Sequence, residues 1–176
     1  REQLIHKLEI IPIEVVVRNL ATGSIVKRLG VEEGKVFPRP IIEFYLKNDK
    51  LNDPIVSEEH ILVLEWATHS ELEEIISMSQ RINDFLTGYF YSQKIRLVDF
   101  KLEFGRFWLG QEVSIMLADE ISPDNCRLWD VQTNKKLDKD RFRQDLGEVD
   151  IAYKEVAYRL GVLSEKEFKK VLKNDF

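Results

Sequence analysis

The feature that most constrains this chain is a change of hydrophobic period near residue 93. Before it, Leu72, Ile75, Ile76, Ile82, Phe85, Leu86, Tyr89 and Phe90 recur at helical spacing, and Ser70 with Glu73 forms a capping-box signature, which predicts a helix over 70–91. After it, from Ile95 to Phe104, the period is two: Val98, Phe100, Leu102 and Phe104 share one face, while Asp99, Lys101 and Glu103 share the other. A turn around Trp108, Leu109 and Gly110 leads to a second strand ending near Glu120, so 95–119 reads as a hairpin. Centred near residue 109, that hairpin sets Asp119 opposite Asp99. An amphipathic helix followed directly by a half-polar strand pair places the chain in the α+β class.

The flanking segments agree. Ile10 to Arg18 is β-branched and runs into Asn19 to Ser24, a strand entering a loop, with Pro12 expected near the strand's start or on an edge. Ser24 to Gly30 suits a short helix capped by Ser24 and closed by Gly30. Ile41 to Leu46 reads as a strand and 47–54 as a polar loop. In the tail, Asp138 caps a short helix, Val149 to Leu160 forms another ending at Gly161, and Ser164 with Glu167 opens a third. No repeat, low-complexity tract or Gly/Ser linker divides the 176 residues, so 1–176 is expected to be one unit.

Composition excludes several classes. With 26 Lys and Arg against 31 Asp and Glu, the formal charge of −5 disfavours non-specific nucleic-acid binding, so an anionic ligand must be held by a few local cations. The single Cys126 has no partner for an internal disulfide, and His6, His60 and His69 lack zinc-site spacing. No apolar run of about 18 residues and no secretory leader is present, so no membrane association and a cytoplasmic location are expected. Neither Gly-x-Gly-x-x-Gly nor a Gly-x-x-x-x-Gly-Lys loop occurs.

Three places could carry chemistry. Asp99, Lys101 and Glu103 recur about every 7 Å along one strand face, and with Asp119 they could seat Mg²⁺ beside nucleotide phosphates; the alternative is a solvated outer face. Arg18 near Gly23 and Ser24 could bind a phosphate at a helix N-terminus, or be a surface charge beside a plain cap. Asp119 to Asp130 reads as a polar loop able to swing Arg127 over an anion, or as an ordinary capped turn. Cys126, with no histidine nearby in sequence, reads as inert.

Together these segments resemble a known family. Ile11 to Ser24, Leu97 to Gly105, Asp119 to Asp130 and Asp138 to Gln144 are similar, in order, to the signature regions of the phosphoribosylaminoimidazole-succinocarboxamide (SAICAR) synthase family, over nearly the whole chain. The resemblance implies a SAICAR-synthase-like two-lobed ATP-binding fold, comparable to kinase and ATP-grasp folds. This chain would be mainly the larger C-terminal lobe, with the N-terminal ATP-covering lobe upstream of residue 1. It implies that Arg18, Ser24, Arg127 and Arg143 bind substrate, that Leu8, Ile10, Lys47 and Glu103 meet ATP, that Asp119 binds Mg²⁺, and that Asp99 and Lys101 are catalytic.

The implied reaction is ATP-dependent ligation of 5-amino-1-(5-phosphoribosyl)imidazole-4-carboxylate (CAIR) to L-aspartate, giving SAICAR, ADP and phosphate through an acyl phosphate in purine biosynthesis. The partners are therefore CAIR, L-aspartate and ATP, with a homodimer or larger assembly common among relatives. The turn after Arg106 is longer than in shorter family members, and Asn125 and Cys126 replace small residues there. The other readings are a kinase-like phosphotransferase and a catalytically silent binding module.

Overall fold

The computed structural model describes residues 4–174. Its centre is an antiparallel sheet of six strands among the described residues: β1 (Glu9–Leu20), β2 (Val36–Leu46), β3 (Ile55–Val56), β4 (Ile95–Leu109), β5 (Glu112–Ala118) and β6 (Cys126–Asp130). The order is β3-β2-β1-β4-β5, with β6 also paired to β4. The helices are α1 (Ser24–Leu29), α2 (Glu58–Val63), α3 (His69–Ser92), α4 (Asp140–Arg143), α5 (Val149–Arg159) and α6 (Glu165–Asn174). Among the described residues no helix is long and apolar enough to cross a membrane.

Alternation along β1 and β4 separates two faces. Ile11, Ile13, Val15 and Val17 of β1 and Phe100, Leu102 and Phe104 of β4 are buried in one core with Leu72, Ile75, Leu86 and Phe90 of α3. Those α3 positions recur at helical spacing along one stripe, each worth about 1.5–3 kcal/mol when fully buried. Asn19 Nδ2 donates to the buried Asn83 Oδ1 of α3 at 2.8 Å, a polar pin beside that stripe. At its N-terminal end α3 is held to β4 by Glu71, which accepts from Arg106 Nε at 2.5 Å and Nη2 at 2.9 Å.

Several boundaries differ from the sequence reading. The long helix starts at His69 with Thr68 as its cap, and Thr68 with Glu71 makes the reciprocal capping box, two residues before Ser70 and Glu73. Both pairs have the required spacing; Glu71 is the one that also reaches Arg106. Gly30 closes α1 in the left-handed conformation as expected, but Gly23 occupies the cap position and the Ser24 hydroxyl is used elsewhere. Pro12 falls where β1–β4 pairing lapses between Ile10 and Glu14, so no ladder hydrogen bond is lost. Asp138 lies two residues before α4 and accepts from the Asp140 N–H at 2.7 Å, while Ser164 and Glu167 cap α6 reciprocally.

Two corrections bear on the site. The hairpin pairs Glu103 with Ala118 and Leu109 with Glu112, so its turn lies at Gly110 and Gln111, and Asp119 does not face Asp99. Asp99 instead pairs with Arg127, because Cys126–Asp130, which reads from sequence as loop, is a strand that joins β4 after β5 has left it.

Candidate functional site

On the face opposite the core, strand register lays out three rows of side chains. Arg18, Asp99 and Arg127 stand abreast on β1, β4 and β6; Glu43, Val16 and Lys101 form the next row on β2, β1 and β4; Tyr45, Glu14 and Glu103 form the third. Residues 119–125 bulge from the sheet edge between β5 and β6 and stay attached through the Lys101 N–H, which donates to the Asn125 carbonyl at 2.9 Å. The whole first row, Val16 and Lys101 of the second, Tyr45 and Glu14 of the third, and this loop line a cleft of about 460 Å³, with Glu43 and Glu103 buried behind it. Asp99 and Glu103 are only 3% and 5% exposed, so this is not a solvated outer face.

The first row anchors a chain of alternating charges. Arg18 Nε donates to Glu43 at 2.8 Å and Nη1 to Asp99 at 2.8 Å; Arg127 Nη1 donates to Asp99 at 2.9 Å and Nε to Asp140 at 2.7 Å. Arg28 pairs with Glu43 at one end and Arg143 with Asp140 at the other. Four guanidinium groups therefore face three carboxylates, leaving one net positive charge. Burial pushes the Asp99 carboxyl upward, while Arg127 and Arg18 beside it oppose the shift.

Donor use differs between the two central arginines. Arg18 spends Nη2 on Ser24 Oγ at 3.1 Å and on Tyr45 Oη at 3.2 Å, so most of its donors are committed. Among the described residues Arg127 bonds through Nε and Nη1, and its Nη2 has no hydrogen-bond partner. That nitrogen lies against Gly23, where an added Cβ would stand 2.8 Å from it. Gly23 has a positive φ, so a side chain there is excluded by both backbone strain and contact. The Gly23–Ser24 turn and the Arg127 side chain thus pack as one surface.

The neighbouring rows build a lysine cage. Lys101 Nζ lies 2.9 Å from Glu14, 2.7 Å from Glu103 and 3.2 Å from Asp119, and Lys47 Nζ reaches the other Glu103 oxygen at 2.5 Å. Burial works to lower the Lys101 pKa, but hydrogen bonds to Glu103 and Glu14 raise it overall, so the side chain is a fixed ammonium and not a base. Burial raises Asp119 while its hydrogen bond to Lys101 and the Glu120 N–H lower it, with a net downward shift. Three carboxylates do converge beside one lysine, with Glu14 in the place expected for Asp99. Among the described residues no cluster of His, Cys, Asp or Glu side chains is arranged to hold a metal by itself.

Leu8 and Ile10 lie outside this cleft. Ile10 pairs with Gly105 and Gly105 with Met116, which places an apolar strip on the same face beyond Glu103. Ile10 is exposed there. Cys126 is buried, and burial pushes its thiol up to about 12, in keeping with an inert residue. Sequence reasoning passed over Glu14, Glu43 and Asp140. For the first two a signal existed: each is the lone acid inside an otherwise apolar strand, a position that costs free energy unless a buried cation meets it.

Fold and site define an α+β protein whose sheet carries paired arginines, a caged lysine and buried carboxylates on one face. The family model described as SAICAR synthetase matches residues 1–160. A phosphoribosylaminoimidazole-succinocarboxamide synthase of Gluconacetobacter diazotrophicus is 62% identical over 165 residues, covering 94% of this chain and 65% of that protein. The crystal structure of the synthase from Ehrlichia chaffeensis superposes with a TM-score of 0.87 at 54% identity, covering 90% of this chain and 67% of that one. A type-2 SAICAR synthetase in complex with ADP superposes at 0.84 with 46% identity, covering 90% and 66%. The chain belongs to the SAICAR synthetase family. It spans about two thirds of the length of these relatives.

Proposed function

We propose that this chain supplies the acceptor side of an ATP-dependent ligase that joins the carboxylate of CAIR to the amine of L-aspartate. In this reading 1–176 is the larger lobe, and the remainder of the relatives' length covers the nucleotide. The observation that carries it is the adjacency, on one sheet face, of the Arg18–Asp99–Arg127 row and the Lys101 cage.

The two ends suit two parts of one reaction. Arg127 Nη2, the Ser24 hydroxyl and the Gly23–Ser24 backbone would take the ribotide phosphate, with Arg18 holding Asp99 and Ser24 in position. At the other end Glu103, Lys47 and the apolar surface of Leu8 and Ile10 would meet ATP. Asp119 and Glu103 would hold Mg²⁺ together with the nucleotide phosphates, a mixed donor set that this cation favours, and the metal supplies neutralisation of phosphate charge.

The CAIR carboxylate oxygen attacks the γ-phosphorus and ADP leaves. The free amine of aspartate then attacks the acyl carbon, inorganic phosphate leaves, and the nitrogen gives one proton to the departing phosphate and keeps one as the amide N–H. Lys101, a fixed cation between the two ends, stabilises charge on the transferring phosphoryl group. Asp99, locked by two arginines, faces the acceptor carboxylate and keeps it from sliding along the row. A ligase of this kind in the cytoplasm needs no membrane segment.

Calorimetric titration with CAIR tests the acceptor site. Binding that Arg127→Ala and Ser24→Ala each weaken at least tenfold is the expected result. A folded chain whose CAIR affinity ignores both substitutions refutes it. Residues 1–176 alone should have little ligase activity; in the full-length enzyme, ADP release that is independent of aspartate would instead indicate a phosphotransferase.

A further inference from the structure

Asp138 is fully buried, and among the described residues its two carboxylate oxygens meet backbone N–H groups only: Oδ2 accepts from Leu128 at 2.7 Å and Oδ1 from Asp140 at 2.7 Å. Burying a carboxylate without a paired cation costs free energy. Burial pushes this one up to about 6, while the two N–H groups oppose the shift. A cap for α4 does not need such a group, because serine or asparagine would serve the Asp140 N–H. What the carboxylate adds is the second bond, across to β6.

Both bonds converge on Arg127. Leu128 follows it directly in β6, and the Leu137 N–H donates to the Leu128 carbonyl at 2.8 Å, so residues 137 and 138 clasp this strand position by both backbone groups. Asp140, itself only 2% exposed, carries the carboxylate that takes Arg127 Nε at 2.7 Å. One side chain therefore fixes the strand from which Arg127 departs and the acceptor that its Nε meets. With Nε held by Asp140 and Nη1 by Asp99 at 2.9 Å, the planar guanidinium cannot turn, and Nη2 is left against Gly23.

We infer that Asp138 is the positioning residue for Arg127, bridging β6 and α4 so that Nη2 faces the Gly23–Ser24 turn. Its consequence for CAIR binding rests on the ligase reading; the bridge itself does not. The bridge requires the ionised form, since a carboxylate offers two acceptors to two donors, whereas a protonated carboxyl or an asparagine turns a donor toward one of them. The titratable and charged groups facing Asp138 are Arg127 and Cys126 of β6, Asp140 of α4 and Tyr153 of α5. Arg127 stays charged, burial pushes Cys126 and Tyr153 up to about 12, and its hydrogen bonds to Arg143 and Arg127 hold Asp140 below its ordinary value against the opposing effect of burial. Asp138 alone among them titrates near pH 6.

NMR of the ligand-free chain tests this between about pH 5 and 7.5, reading the Asp138 carboxyl carbon and the Arg127 Nε–H. Both should titrate with one midpoint near 6. Asp138→Asn should leave the Arg127 signal flat at its low-pH position, and so should Asp138→Ser, which keeps a cap for Asp140 but cannot reach Leu128 as well. Calorimetry at the upper pH should show CAIR bound at least fivefold more weakly by each variant than by the wild-type chain, a gap that closes at the lower pH. An Arg127 signal that ignores the Asp138 titration, or wild-type CAIR affinity in either variant, reduces Asp138 to a helix cap and overturns the inference. The wild-type titration decides this even where a variant does not fold. Coupled NMR signals in a chain that never binds CAIR would keep the bridge and overturn the ribotide reading.

Discussion

Replacing Asp99 by Asn is the sharpest perturbation of the site, because one carboxylate holds two arginines. Asp99 accepts from Arg18 at 2.8 Å and from Arg127 at 2.9 Å, and Arg18 is itself 3% exposed. Asn keeps the volume and one acceptor oxygen but turns an amide N–H₂ toward guanidinium groups. Removing one partner of a buried ion pair costs about 3–5 kcal/mol. Glu43 and Asp140 still serve Arg18 and Arg127, so the lower end, about 3 kcal/mol, applies. With a urea slope of about 2 kcal/mol/M, the unfolding midpoint should fall by about 1.5 M. The charge chain would then carry two net positive charges, and added inorganic phosphate should recover part of the loss. A midpoint shift below about 0.3 M, or no response to phosphate, would show that Asp99 is not the counter-ion that holds the row together.

Further outcomes follow from other contacts. Hydrogen bonds from Arg106 hold Glu71 at about 2, below its ordinary 4.5, so this stabilisation is complete above pH 4.5 and is lost as pH falls toward 2. At most about 3 kcal/mol is involved, and Arg106→Gln should remove that acid-dependent part from the pH profile of urea unfolding. Gly105→Ala would put a Cβ 2.8 Å from Leu8 Cβ and 3.1 Å from the Glu9 carbonyl, so thermal melting should show a loss of about 1–3 kcal/mol. Gly88→Ala, in α3 with open space around the new methyl, should gain about 0.5–1 kcal/mol in the same assay. Cys126 should resist iodoacetamide at pH 8 in the folded chain and react once urea unfolds it.

Local chemistry makes much of this protein legible in the order of its residues. The period change near residue 93 is a property of neighbouring side chains, so α3, β4 and the polar face of Asp99, Lys101 and Glu103 can be read directly. The left-handed end of α1 at Gly30 and the Ser164–Glu167 cap are equally local. What required the fold were the long-range pairings. A hairpin's register shifts when its turn moves by a residue or two, and this one places Asp119 beside Lys101 and away from Asp99. Residues Cys126–Asp130 are strand because the edge of β4 is vacant once β5 leaves, a fact absent from their own composition. Glu14, Glu43 and Asp140 joined the site for the same reason: each is defined by a cation 13 to 87 positions away in the chain. Sequence determined which side chains could share a face; only tertiary packing decided which opposite charges would be buried together, because that choice depends on the desolvation cost at each place in the sheet.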